Sequence, residues 1–275
     1  MPFTQAWEDG WMRAALRWLI ILSAAMLLIA ALAPPIPQPQ QYHQFADQRS
    51  ALGIPNFLNT ISNLAFLFVG FSGLKFLLQA DKWGTSGCRA FSDPSERWPY
   101  IAFFLAVGMI GLGSAYYHLA PDNDRLVWDR LPIALAIAAL LTATLSERVS
   151  PRAGRLLPVL MGAGAASVIY WHWTEQQGAG NLNFYIVVQF YSILVIALLC
   201  IFFPSRYTCG SQILAVLGWY GVAKLAEIGD HQIFDLGEVV SGHTAKHLIA
   251  ALAAYRVVDM LRKRSPKRSQ AEEVK

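Results

Sequence analysis

Charge is scarce in this chain. Only 15% of its 275 residues are Asp, Glu, Lys or Arg, against roughly 25% in an ordinary soluble domain. The three cysteines, Cys88, Cys200 and Cys209, are too few and too scattered for a disulfide framework or a cysteine-based metal site. No internal repeat is visible, which argues against an inverted-repeat transporter. What is abundant is apolar: 55% of the residues are hydrophobic. Three stretches hold no charged residue at all, from Gly53 to Leu74, from Trp98 to Pro121 and from Gln176 to Ser205. Each is longer than the roughly 20 residues that cross a bilayer as helix. A soluble globule, a disordered chain and a secreted disulfide scaffold are thereby excluded, and the fold class is all-α integral membrane protein.

Eight helices are expected, at about 12–33, 55–79, 98–120, 125–146, 153–173, 181–204, 210–228 and 239–262. Breakers and turn formers mark most ends, among them Pro34-Pro35, Pro121 to Asp124, Pro151, Gly178 to Gly180 and Pro204. The first helix has an Ala-Leu-Ala stretch at Ala31 to Ala33 that would suit a leader cleavage site. The prolines after it and Glu8-Asp9 before it favour a retained span. With the N-terminus cytoplasmic, 17 of the 22 Lys and Arg residues fall in inside segments. That asymmetry puts both termini inside, with an even number of spans. It also makes the run Arg262 to Arg268 a cytoplasmic anchor rather than a nucleic-acid arm, and no nucleic-acid partner is expected. The division reads as an extra N-terminal span (1–35), a seven-helix core (36–262) and a basic tail (263–275).

Ionisable groups at membrane depth cost free energy and are functional candidates by default. On the third helix Ser114 and His118 are four residues apart and share a face, as do His243 and His247 on the eighth. Asp129 lies on the fourth helix, just inside the hairpin made by Pro121 to Asp124. In the topology above all five lie near the outer surface. Three imidazoles at one depth suit tetrahedral Zn²⁺, which leaves a fourth position for a water whose pKa it lowers to about 7. Asp129 would then move the proton, and Ser114 would donate to a developing oxyanion. Plainer readings exist for each. Asp129 can be salt-bridged to Arg125 or Arg130, Ser114 can be a packing serine beside Gly108, Gly111 and Gly113, and the histidines can pair and glue helices together.

These residues also carry a family likeness. Gly113-Ser114-Ala115-Tyr116-Tyr117-His118, Trp128-Asp129-Arg130-Leu131-Pro132 and Gly242-His243-Thr244-Ala245-Lys246-His247 resemble the alkaline ceramidases. That family shares its superfamily with the adiponectin/progestin receptors and the GPI-anchor remodelling proteins. Phe57-Leu58-Asn59-Thr60-Ile61-Ser62-Asn63-Leu64 is similar to the family's first core helix. The resemblance implies a seven-helix core over helices two to eight, zinc on His118, His243 and His247, and chemistry on Ser114 and Asp129. It implies a ceramide-like lipid cleaved at its amide to a fatty acid and a sphingoid base. The acidic calcium motif of the eukaryotic members is reduced to Asp47 in Phe45-Ala46-Asp47-Gln48-Arg49, and Asn56 stands where those members carry Glu. One carboxylate is too little oxygen ligation for calcium, so none is expected. The likeness is to bacterial members, which implies a bacterial inner membrane. Another lipid acyl hydrolase, or a receptor or scaffold with structural zinc, remains as an alternative reading.

The remaining polar residues receive ordinary roles. Glu227, Asp230, His231 and Asp235 read as a solvated acidic loop. His172, between Trp171 and Trp173, belongs to an interfacial belt. His43 is expected to be exposed, and Lys246 to face away from the flanking histidines and snorkel.

Overall fold

The computed structural model describes residues 3–79 and 90–267. Lys82, Cys88, Arg89 and the tail beyond Lys267 lie outside the described residues. Every described element is helical: α1 (Phe3–Leu32), α2 (Phe57–Ile61), α3 (Leu64–Gln79), α4 (Arg97–Leu119), α5 (Asn123–Arg148), α6 (Leu157–Gln176), α7 (Asn183–Ile186), α8 (Ser192–Phe202), α9 (Gln212–Ile228), α10 (Asp230–Asp235) and α11 (Gly242–Lys263). A π-helical segment, Val187–Tyr191, joins α7 to α8. These are the eight expected helices, with α2–α3 and α7–α8 each forming one, and a short α10 added in the connection between the last two. Six are long and apolar enough to cross a membrane. Of the other two, α9 has 17 residues, and α11 carries the polar residues of the site. This is an all-α membrane protein of the multi-pass kind.

The bundle is inside out relative to a soluble protein, with large apolar side chains on its perimeter. Phe68, Phe71 and Leu112 are each about two-thirds exposed. The interior is knit by α3, α4, α5, α8, α9 and α11, with Phe104, Ile196, Leu199, Val257 and Leu261 fully buried. The α1 helix sits at the edge and buries little of itself. Its C-terminal carbonyls at Ala30, Ala33 and Pro34 all receive Nδ2 of Asn183, which satisfies groups a helix end leaves unpaired.

Side-chain chemistry also shapes the break between α2 and α3. Ser62 Oγ and Asn63 Nδ2 both donate to the carbonyl of Asn59, at 3.1 and 2.7 Å. Side chains that bond nearby carbonyls compete with the helical ladder, and the chain turns there. A second conjunction sets the distance between α4 and α5. Pro132 has no N–H to offer the carbonyl of Trp128 one turn back. That oxygen stands against Gly113, where a Cβ would lie 1.9 Å from it. Only glycine permits this approach, and it falls between Ser114 and Asp129.

The two ends of the bundle differ. At one end Arg264 forms a buried pair with Glu147 at 3.0 Å and lies over the rings of Tyr207, Phe91 and Tyr100. Arg206 pairs with Glu96 at 2.8 Å, and Arg148 donates to the carbonyls of Phe203 and Gly210 at 2.6 and 2.7 Å. Arg264, expected in a solvated anchor, is thus 2% exposed and part of the fold. Buried charges persist only when paired and hydrogen-bonded, and this network supplies both. The other end gathers the C-terminus of α4, the start of α5 and the start of α11.

Candidate metal centre and lipid cavity

At that second end His118, His243 and His247 meet. The ring centroids of each pair lie 4.8 to 5.0 Å apart, and one ligand nitrogen from each falls within 4.8 Å of the others. Nε2 of His118 is 3.2 Å from Nε2 of His243. Two nitrogens on one tetrahedral zinc, at 2.0–2.1 Å each, stand about 3.3–3.4 Å apart, so the spacing fits. All three residues are 4% exposed or less. Nε2 of His247 is buried without a hydrogen-bond partner, the condition of a ligand atom awaiting a cation.

One of the imidazoles is held through its ring and the other two residues through their backbone, while Nδ1 of His118 has no partner among the described residues. His247 Nδ1 lies 2.8 Å from Ser62 Oγ. The backbone N–H of His243 donates to Asp230 Oδ1 at 2.7 Å. The carbonyl of His118 accepts from Asn56 Nδ2 at 2.8 Å. Asn56 takes up the left-handed region, φ 45°, which Asn tolerates better than most residues. Asn59 ties three segments together: it donates to the carbonyl of Asp47 at 3.0 Å and accepts from Thr244 Oγ1 at 2.7 Å. Ser241 caps α11.

The segment before α2 straps the site. Phe45 is 3% exposed and lies on the rings of His118 and His243, at 4.6 and 4.4 Å. The Ala46 N–H donates to Asp230 Oδ2 at 2.9 Å. Asp47 accepts from Arg49 at 2.8 Å, and those hydrogen bonds hold its carboxyl below the ordinary aspartate range. Arg49 in turn donates to the carbonyls of Glu238 and Val239, which clamps the strap to the chain before α11.

Ser114 and Asp129 lie on the cavity side of the site. They line a cavity of about 340 Å³ that also reaches His247. Its walls are apolar, including Phe103, Val107, Ile110, Ile137, Leu140 and Ile196. The arginines that offered a plain reading of Asp129 are engaged elsewhere: Arg125 sits 3.7 Å from Asp122, and Arg130 donates to Gln38. Among the described residues Asp129 makes no ion pair.

Residues 52–226 match the model of the ceramidase family, described as Ceramidase. The chain belongs to the ceramidase family. The matched region contains Ser114, His118 and Asp129 and stops before α11, so the fold itself brings the other two histidines of this ceramidase-family protein to the first. No curated protein matches the chain.

Three expectations need correction. Lys246 does not snorkel outward: it lines the cavity, and its Nζ is 2.8 Å from Glu227 Oε1. The reason is Glu227, which lies on α9 with 12% of its side chain exposed and takes Lys224 as well. The acidic group is accordingly no single solvated loop, since Glu227 and Asp230 are structural while His231 and Asp235 are exposed. His43 is half-buried between Tyr117 Oη (2.8 Å) and Asn123 Oδ1 (2.9 Å). His172 stays near the surface, 3.6 Å from Asp124.

Proposed function

We propose that this protein is a membrane-embedded, zinc-dependent hydrolase that cleaves the amide bond of ceramide-like lipids to a fatty acid and a sphingoid base. One observation supports it above the rest: three buried imidazoles converge, and one of them, His247, lines an apolar cavity together with Ser114 and Asp129. His118, His243 and His247 would hold the metal. When bound, zinc supplies Lewis acidity that polarises a carbonyl and acidifies water. The apolar walls bind the acyl and sphingoid chains and exclude bulk water. Asp129, unpaired, takes the proton of the attacking water and passes it to the departing amide nitrogen. The acyl carbon gains the hydroxyl, and the nitrogen leaves as an amine. Ser114 donates to the oxygen on which charge builds.

The test uses the purified full chain in detergent, ceramides, acyl esters and N-acyl amides as substrates, and a chelator. Hydrolysis of the amides should vanish with chelator and return with zinc. Asp129→Asn should keep zinc while hydrolysis falls by roughly 10²–10⁴-fold, the range for a lost general acid–base. Preferred ester turnover would replace the amide assignment. Chelator-resistant hydrolysis would remove zinc from it, and zinc without any hydrolysis would make the metal structural.

A further inference from the structure

Arg130 is a charge that the proposed chemistry does not use. It follows Asp129 on α5, is 6% exposed and lines the same cavity. No carboxylate among the described residues pairs with it. Nη2 donates to Gln38 Oε1, itself buried, and Nη1 has no partner among the described residues. Three rings hold the guanidinium instead, those of Trp171 at 4.3 Å, Tyr185 at 5.0 Å and Tyr42 at 5.5 Å. Aromatic faces attract a cation, but they give a planar N–H nothing to donate to. An arginine buried this deeply normally has a paired, hydrogen-bonded anion.

The other charges lining the cavity sharpen the point. Glu227 serves Lys224 and Lys246 together, and Asp129 has no cation. Three cations thus face two carboxylates around an otherwise apolar space, and the one without a carboxylate partner among the described residues, and with a nitrogen that bonds nothing, is Arg130. Its fork suits two oxygens of a carboxylate or phosphate.

We propose that Arg130 binds the anionic oxygens of the lipid in this cavity, so that the ligand is an amphiphile with a negatively charged group. This rests on the hydrolase reading for its substrate aspect: the anion is either a headgroup on the acylated amine or the carboxylate of the released fatty acid. Gln38 and the three rings position the guanidinium and leave Nη1 for the ligand.

Binding to the full chain is measured by calorimetry in detergent, with chelator present so that no probe is consumed. The probes are N-oleoylglycine against neutral N-oleoylethanolamine, and oleate against oleyl alcohol. An anionic probe should bind at least about tenfold tighter than its neutral partner, the order of one charge-assisted contact. Arg130→Gln should erase the preference, and Arg130→Lys, which keeps the charge without the fork, should retain part of it. A preference confined to N-oleoylglycine places the headgroup at Arg130, and one confined to oleate places the product. Equal binding within both pairs in the wild type overturns the proposal without any variant, as does an undiminished preference in Arg130→Gln. Anion preference in a chain that hydrolyses nothing would leave the subsite standing and remove the hydrolase reading. Ceramide hydrolysis without anion preference would do the reverse.

Discussion

Ser62 faces Nδ1 of His247. Its Oγ lies 3.1 Å from the carbonyl of Asn59 and 2.8 Å from Nδ1 of His247; with the hydroxyl hydrogen on the carbonyl, the oxygen accepts from Nδ1–H and Nε2 keeps its lone pair for a metal. A partner behind a metal-binding histidine typically contributes 10–100-fold to affinity. Ser62→Ala should therefore weaken zinc by about that factor, as read by competition with a chromophoric chelator, while the fold survives the loss of one hydroxyl. Unchanged affinity would mean that helix packing alone orients the ring. The Asn-Thr-Ile-Ser-Asn motif was legible as part of a family resemblance. Its work was not, because Ser62 and His247 are 185 positions apart and nothing in either segment points to the other. Phe45 escaped for the same reason: a lone aromatic in a Pro/Gln-rich linker carries no periodicity that would mark it as a cover for imidazoles. Lys246 was misplaced because snorkelling is the default for a lysine near a helix end, and only the position of Glu227 on α9 overrides it.

At the scale of elements, the seam between α4 and α5 matters most. His118 stands in the last turn of α4 and Asp129 in the second turn of α5, so any change in their approach separates the metal end of the site from the proposed base. Gly113→Ala would push a methyl into the Trp128 carbonyl, an atom that cannot move as a side chain does. Overpacking of this kind costs about 1–3 kcal/mol. The expected result is a lower unfolding midpoint in detergent and a loss of hydrolysis. Gly108→Ala, on the same helix, meets nothing within 4 Å and should be neutral or slightly stabilising, because alanine is the better helix former. Equal behaviour of the two would show that the seam tolerates separation. The α11 helix teaches a related lesson. It falls short as an apolar span because it carries Lys246, Arg256, Asp259, Arg262 and Lys263 and turns His243, Thr244 and His247 into the site.

The whole molecule has two unlike polar ends. One holds the Glu96, Glu147, Arg148, Arg206 and Arg264 network, and the other the histidines. Among the described residues Arg148, Arg206 and Arg264 gather at the first end, and the sequence divides Lys and Arg 17 to 5 between alternate segments. We propose that this end is cytoplasmic in a bacterial inner membrane, that both termini lie there, and that α1 is an added span before a seven-helix core. Reporter fusions after Lys275 and within 230–238 should then report opposite sides of the membrane. Signals from one side would break the even count of spans and place the metal end elsewhere.

Much of this was determined by the sequence alone, because insertion in a bilayer is a local property. A run of 20 uncharged residues in a bilayer favours helix whatever surrounds it, since its backbone has no water to bond, and prolines such as Pro34-Pro35 and Pro204 mark ends, although Pro132 is carried inside α5. The same locality made Ser114, His118, Asp129, His243 and His247 conspicuous as polar groups where polarity is expensive. Only the tertiary structure could decide what those residues face. Convergence of the three imidazoles, the Phe45 strap, the shared Glu227 and the uncompensated Arg130 all depend on contacts between segments distant in the chain. Such contacts are set by the packing of whole helices, and no window of sequence contains both sides of them.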